Sequence, residues 1–210
     1  MARTRSTPPP RRRPARKRAR LEVDERREQL LAIGLAAFSE TPYDLVAIDD
    51  VAKAARVSKG LLYHYFPNKR AFYAAVVERA AAQLLERTQT DPKARPSVRL
   101  RQGIDAYLAY VKAHEAAYLA LMQGGIGSDP TVADIVERTR QAFLERILSG
   151  VPEPSSLLKL ALRGWLGYVE ATVLVWLQEG GVASESLRNH LTEVVIFVLS
   201  RVNELSATRR

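Results

Sequence analysis

The stretch 48–69, IDDVAKAARVSKGLLYHYFPNK, constrains the fold more than any other part of the chain. Ile48, Val51, Ala52 and Ala55 recur at i, i+3, i+4 and i+7, which lays one apolar stripe along a helix of about two turns. That stripe has to bury against another element. Arg56-Val57 interrupts the spacing, and Ser58 then supplies an oxygen that caps a new helix by accepting from a backbone N–H two or three residues on. The second helix, residues 58–65, packs through Val57, Leu62 and Phe66 and shows Lys59, Gly60, Tyr63 and His64 on its other face. Pro67 ends it by removing a backbone donor. Two short helices joined by a tight turn make a helix-turn-helix, whose second helix enters the DNA major groove while the first crosses the backbone.

At these residues the sequence resembles the TetR family of one-component transcriptional regulators. Several independent parts carry the resemblance. Leu30, Ile33, Gly34, Ala37 and Phe38 supply a first helix; Val51-Ala52 and Ala55 supply the second; Val57-Ser58-Lys59-Gly60, Leu62-Tyr63, Tyr65-Phe66 and Lys69 supply the third and the start of a fourth. It covers residues 26–76, roughly a quarter of the chain, and beyond them only helix layout and length are shared. It implies a homodimeric DNA-binding regulator, a repressor, in which Lys59 and Gly60 approach base edges and Tyr63, Tyr65 and Lys69 contact phosphates. Ser58 caps the recognition helix and touches the DNA backbone, and His64 sits on its exposed face. Two departures from the family pattern have consequences. Arg56 stands where the family has glycine, so a non-glycine residue is expected near φ > 0 unless the turn rearranges to send the arginine to a phosphate. The second helix begins with Val46-Ala47-Ile48 in place of threonine, so it lacks a side-chain cap and the DNA contact threonine provides.

Charge is unevenly placed. Residues 1–20 hold nine arginines and lysines and no acid, while the rest of the chain holds 23 basic and 23 acidic side chains, so the net +9 resides in the first twenty residues. Pro8-Pro9-Pro10 and Pro14, with few apolar neighbours, mark those residues as a disordered arm. Two readings of the arm stand: a solubilising leader, or an extension that adds phosphate contacts or follows the minor groove. Residues 21–68 then form the helix-turn-helix domain, and residues 69–210 a larger helical domain for ligand binding and dimerisation.

The larger domain reads as six helices: 69–88, 97–113, 115–123, one ending near 148, 155–179 and 184–205. Linkers at 91–96 and 151–154 and glycines at 124–125 and 180–181 separate them, and Gly125-Ile126-Gly127 reads as a hinge loop. No strand alternation is evident, so the fold class is all-α. The helix at 155–179 is apolar nearly all round, which implies burial on more than one side. Its Gly164, Gly167 and Ala171 form a small-residue stripe. With the equally apolar last helix it would build a four-helix bundle across a two-fold dimer, as the resemblance implies. Lys159, Arg163 and Glu170 argue against a membrane span, since each would cost roughly 2.5 to 3.5 kcal/mol at mid-bilayer. Arg163 and Glu170 are read as a structural ion pair or interface salt bridge ahead of a ligand anchor. Tyr107, Tyr110, Met122, Phe143, Trp165, Tyr168 and Thr172 are the candidate lining of an apolar cavity with a few hydroxyl and indole donors, the makeup of a small-molecule pocket.

Enzyme readings have little to stand on. Cysteine is absent, the three histidines are far apart without metal-ligand spacing, and no nucleophile elbow, P-loop or complete dinucleotide fingerprint occurs. No catalytic residue, metal or cofactor is therefore expected. The basic N-terminus is followed by LEVDERRE and not by an apolar run, so a cytoplasmic protein without a signal peptide is expected. The function is read as a ligand-responsive regulator, released from its operator by a small apolar or amphipathic molecule. An architectural or nucleoid DNA-binding protein without an effector is the alternative.

Overall fold

The computed structural model describes residues 15–123 and 129–207, with the hinge-loop reading at 125–127 and residues 1–14 of the arm lying outside them. Within the described residues there are nine α-helices and no strand, as the all-α reading expects. They are α1 (Ala15–Glu40), α2 (Ile48–Ala54), α3 (Lys59–Tyr65), α4 (Lys69–Arg87), α5 (Pro96–Ala113), α6 (Glu115–Gln123), α7 (Pro130–Leu148), α8 (Ser156–Glu179) and α9 (Ser184–Ala207). A 3-10 turn at Tyr43–Leu45 links α1 to α2. One boundary differs from the sequence reading: α1 starts at Ala15, inside the stretch expected to be a disordered arm. Residues 15–20 are alanine, arginine and lysine, all strong helix formers, and Pro14 immediately precedes the first helical residue.

Among the described residues, side chains cap four helices. Ser58, Asn68, Asp129 and Ser155 accept from the backbone N–H of Leu61, Ala71, Thr131 and Leu158 at 3.1, 2.8, 2.9 and 3.2 Å, opening α3, α4, α7 and α8. Helix α2 has Ala47 at this position and no side-chain cap, but Asp49 and Asp50 in its first turn complement the helix dipole. Between α8 and α9, Gly180 and Gly181 adopt φ of 67° and 78°, a region closed to most side chains, and Gly180 N–H returns to Trp176 O at 3.0 Å.

Two apolar cores result. The first joins Leu30 and Phe38 of α1, Val51 of α2, Leu62 of α3 and Phe72 and Val76 of α4 to Val132 and Ile135 of α7. The second joins Ile104, Leu108 and Val111 of α5 to Leu162, Trp165 and Val173 of α8 and Leu191 and Val195 of α9. Helix α4 contacts α1, α5 and α7, so it physically links the two halves. Helix α8 has the length and composition to cross a membrane, yet it packs on α6, α7 and α9, and ion pairs run from it to α7.

Gly34 sets how closely α1 approaches α4. A Cβ there would lie 2.5 Å from Phe72 Cζ and 2.7 Å from Val76 Cγ2, and Phe72 is fully buried with no room to yield. Gly34→Ala gains about 1 kcal/mol in helix propensity but overpacks a tight contact at a cost of about 1 to 3 kcal/mol. The expected net effect is a lower urea midpoint. An unchanged or raised midpoint would show that the α1–α4 contact is loose.

Candidate nucleic-acid interface and ligand cavity

The turn between α2 and α3 holds Arg56 at φ 55°, the left-handed conformation expected from its position. Val57 N–H returns to Ala52 O at 3.0 Å, which closes the turn, and α3 buries Leu62 in the first core while its other face stays exposed. Ser58 caps α3 through its own side chain. Lys59 Nζ lies 2.8 Å from Asp49 Oδ2 across the turn, and this hydrogen bond and charge raise its pKa above the ordinary value, so it stays cationic. The pair is exposed on both sides and screened by solvent, so a phosphate can replace Asp49 at little cost.

Gly60 is exposed, and a Cβ there would meet only Ser58 Oγ, at 3.9 Å. Its lack of a side chain is therefore not required by packing, and it leaves the helix surface bare for close approach. Tyr63 and His64 are exposed beside it, with the His64 ring edge-on to Tyr65. Tyr65 is only partly exposed, being packed against the first core. Lys69 donates from Nζ to Asp44 O at 3.1 Å and lies 4.7 Å from the centre of the Tyr43 ring, so it braces the 3-10 turn against the start of α4. The structure thus brings Ser58, Lys59, Gly60, Tyr63 and His64 onto one surface, with Tyr65 and Lys69 at its border. Sequence reasoning missed Asp49 as the partner of Lys59 and Asn68 as the cap of α4. The second was readable, since asparagine directly ahead of a helical apolar period is a start signal.

A cavity of about 530 Å³ lies between the two cores. Phe38, Tyr73, Val76 and Val77 bound it on the side of the reading head, and Ile104, Val111, Leu162 and Val195 of the larger domain bound it on the other. Of the expected lining, Tyr107, Tyr110, Met122, Phe143 and Trp165 surround it, whereas Tyr168 and Thr172 do not. The lining face of α8 runs through Leu158, Leu162, Trp165, Leu166, Val169 and Glu170. Tyr168 lies off that face, and its hydroxyl meets His190 Nε2 at 2.6 Å on the outer surface of the α8–α9 hairpin. Thr172 follows the last lining residue.

Hydroxyls in the cavity are mostly committed. Tyr107 and Tyr118 share a hydrogen bond of 2.9 Å, and Tyr110 donates to Ala80 O of α4 at 3.0 Å. Burial pushes the Tyr118 phenol up to about 12 and Tyr107 well above its ordinary range, so both remain neutral near pH 7. Trp165 donates from Nε1 to Leu191 O at 3.2 Å and so ties α8 to α9. Arg163 and Glu170 do form structural ion pairs, but not with each other. Glu170 takes a two-pronged contact from Arg140 of α7 at 2.7 and 2.8 Å, and Arg163 reaches Glu137 of α7 at 2.7 Å. Among the described residues no three metal-ligating side chains gather.

A basic recognition helix on a three-helix head, joined to a helical domain that encloses a cavity, defines a helix-turn-helix DNA-binding regulator and not an enzyme. Residues 30–76 match the family model described as bacterial regulatory proteins, tetR family, and residues 96–198 match the tetracyclin repressor-like, C-terminal domain. The crystal structure of a tetR-family transcriptional regulator from Streptomyces coelicolor is 33% identical, with a TM-score of 0.79 over 89% of this chain and 84% of that one. The HTH-type transcriptional activator FasR of Mycolicibacterium smegmatis is 30% identical over 144 residues, 66% of this chain, so the match spans just under two thirds of FasR, 64% of its length. The fold is also that of the transcriptional regulator FadR from Bacillus subtilis, solved in complex with stearoyl-CoA, at 21% identity and a TM-score of 0.66 over 80% of this chain and 96% of that one. The chain belongs to the TetR family of DNA-binding transcriptional regulators.

Proposed function

We propose that this protein is a homodimeric repressor, working in the cytoplasm, that leaves its operator when a small apolar or amphipathic molecule fills the cavity between its two cores. The position of that cavity carries the reading. It borders Tyr73, Val76, Val77 and Leu84 of α4, and α4 is continuous with the capped segment that holds α3. A ligand there acts on the helix that aims the reading head. FadR, which shares the fold, was solved with an acyl thioester, in keeping with an apolar effector. An architectural protein has no use for such a cavity.

On DNA, Lys59 and Gly60 face base edges, Tyr63, Tyr65 and Lys69 face phosphates, Ser58 caps α3 and touches the backbone, and His64 points to the groove rim. Few of these side chains read bases directly, so DNA shape supplies part of the specificity. The two copies meet through the exposed apolar stripe of α8 and the outer face of α9. Leu160 is 70% exposed, Phe197 65% and Ile196 54%, and Gly164 and Gly167 have nothing within 4 Å of a built Cβ, leaving room for a partner helix.

Selection of bound duplexes from a random pool by the full chain tests the reading. A two-fold symmetric site released by an apolar ligand supports it, while uniform recovery of all sequences would favour the architectural alternative. On the selected duplex, Lys69→Ala is expected to weaken binding to specific and random DNA alike and to flatten the slope of log K against log salt by about 0.9. A change in the preferred sequence would place Lys69 at a base and not at a phosphate.

A further inference from the structure

One end of the cavity carries two positive charges and, among the described residues, no negative one. Arg99, in the first turn of α5, makes only long contacts there, from Nε to Thr90 Oγ1 at 3.4 Å and from Nη2 to Ser149 Oγ at 3.5 Å. Arg146, near the end of α7, donates from Nη1 to Thr88 Oγ1 and from Nη2 to Leu85 O, both at 3.0 Å, with its guanidinium 5.7 Å from the centre of the Phe143 ring. Every one of these acceptors is neutral. Neither arginine forms an ion pair among the described residues, whereas Arg140, elsewhere on the same wall, is neutralised by Glu170. Burial and the neighbouring Arg99 charge both push the Arg146 guanidinium below its ordinary pKa. Buried or half-buried charges in folded proteins are ordinarily paired, and these two guanidinium groups meet only neutral acceptors.

We propose that Arg99 and Arg146 seat the carboxylate of a long-chain acid, whose hydrocarbon runs inward along Leu84, Leu100, Ile104 and Phe143. This rests on reading the cavity as the effector site. The rest of the lining is mostly apolar, its hydroxyls and the Arg140–Glu170 pair being already partnered, and the volume falls within the range of about 300 to 1,000 Å³ occupied by small-molecule pockets. A carboxylate supplies the absent charge and accepts from two guanidinium forks, while a neutral chain of equal length leaves the two arginines repelling each other. The same side chain links binding to release. Arg146 at present holds the C-terminal end of α4, because Leu85 O and the Thr88 hydroxyl are its acceptors and Thr88 itself donates to Leu84 O at 2.7 Å. A carboxylate that draws Arg146 toward itself loosens that clasp on the helix whose opposite end carries α3.

Isothermal titration of the full chain with dodecanoate, dodecanol and the neutral probe N-phenyl-1-naphthylamine decides the matter. Dodecanoate is expected to bind about tenfold or more tightly than dodecanol, the difference of a charge-assisted hydrogen bond. In Arg99→Gln and Arg146→Gln that advantage should shrink to near parity, with dodecanol and the neutral probe holding their wild-type affinities within a few fold. Arg146→Lys, which keeps the charge without the fork, should retain part of it. Equal binding of acid and alcohol by the wild-type chain would overturn the anion seat and leave the cavity reading standing. Failure of all three probes to bind would overturn both.

Discussion

Phe197→Glu is expected to convert the dimer to a monomer and to lower operator affinity by about 10²- to 10⁴-fold, the gain that linking two reading heads confers. Phe197 is among the most exposed large apolar residues of the chain and belongs to neither core, so its loss should leave helical content and the monomer's own packing intact. The effect acts through geometry. Two recognition helices must sit about 34 to 36 Å apart, or a multiple of that, to enter successive major grooves, and only a rigid two-fold contact fixes that spacing. A glutamate on each copy would bury two like charges against Leu160 and Ile196. Sedimentation of the variant and its affinity for the selected duplex give the two readouts. A stable dimer with unchanged affinity would move the interface off the α8–α9 hairpin.

Trp165→Ala should destabilise the fold by about 3 to 5 kcal/mol, the range for large aromatic truncations in a core. Trp165 is 5% exposed in the second core, and its indole N–H donates to Leu191 O across the hairpin, so the variant loses packing and also a hydrogen bond that ties α8 to α9. Because α8 and α9 also build the proposed dimer face, the thermal midpoint should depend more steeply on protein concentration than in the wild type. Phe143→Ala gives the contrast: its side chain is only partly buried at the cavity wall, so it should change ligand affinity with a smaller loss of stability. If Trp165→Ala melted with the wild type, the residue would be cavity wall alone.

The reading head was legible in the sequence because each of its features is local. The apolar spacing of Ile48, Val51 and Ala52, the Ser58 cap and the left-handed Arg56 all depend on neighbours within a few residues, and the structure has each of them in place. The cavity was legible only in part. Helix α8 is apolar on nearly every face, so its sequence does not tell the side that meets the cavity from the side left outside, and Tyr168 was assigned to the wrong one. The partners of Glu170 and Arg163 come from α7, some 30 residues away in the chain, a pairing no helical period encodes. The pairing of Arg99 with Arg146, 47 residues apart in the chain, is equally invisible to any helical period. Their meaning lies in the absence of an acid nearby, which only the folded arrangement reveals. The early start of α1 shows helix propensity prevailing over net charge at residues 15–20.

If cavity and operator are linked through α4, the coupling is reciprocal: a ligand that weakens DNA binding by some factor must itself be bound more weakly, by the same factor, when DNA is present. The direct measurement is dodecanoate affinity, followed by tryptophan fluorescence, for the full chain alone and with saturating selected duplex. Dodecanoate is expected to bind more weakly on DNA, by a factor of about 5 to 150, matched by an equal loss of duplex affinity at saturating dodecanoate. Identical affinity with and without DNA would contradict the linkage.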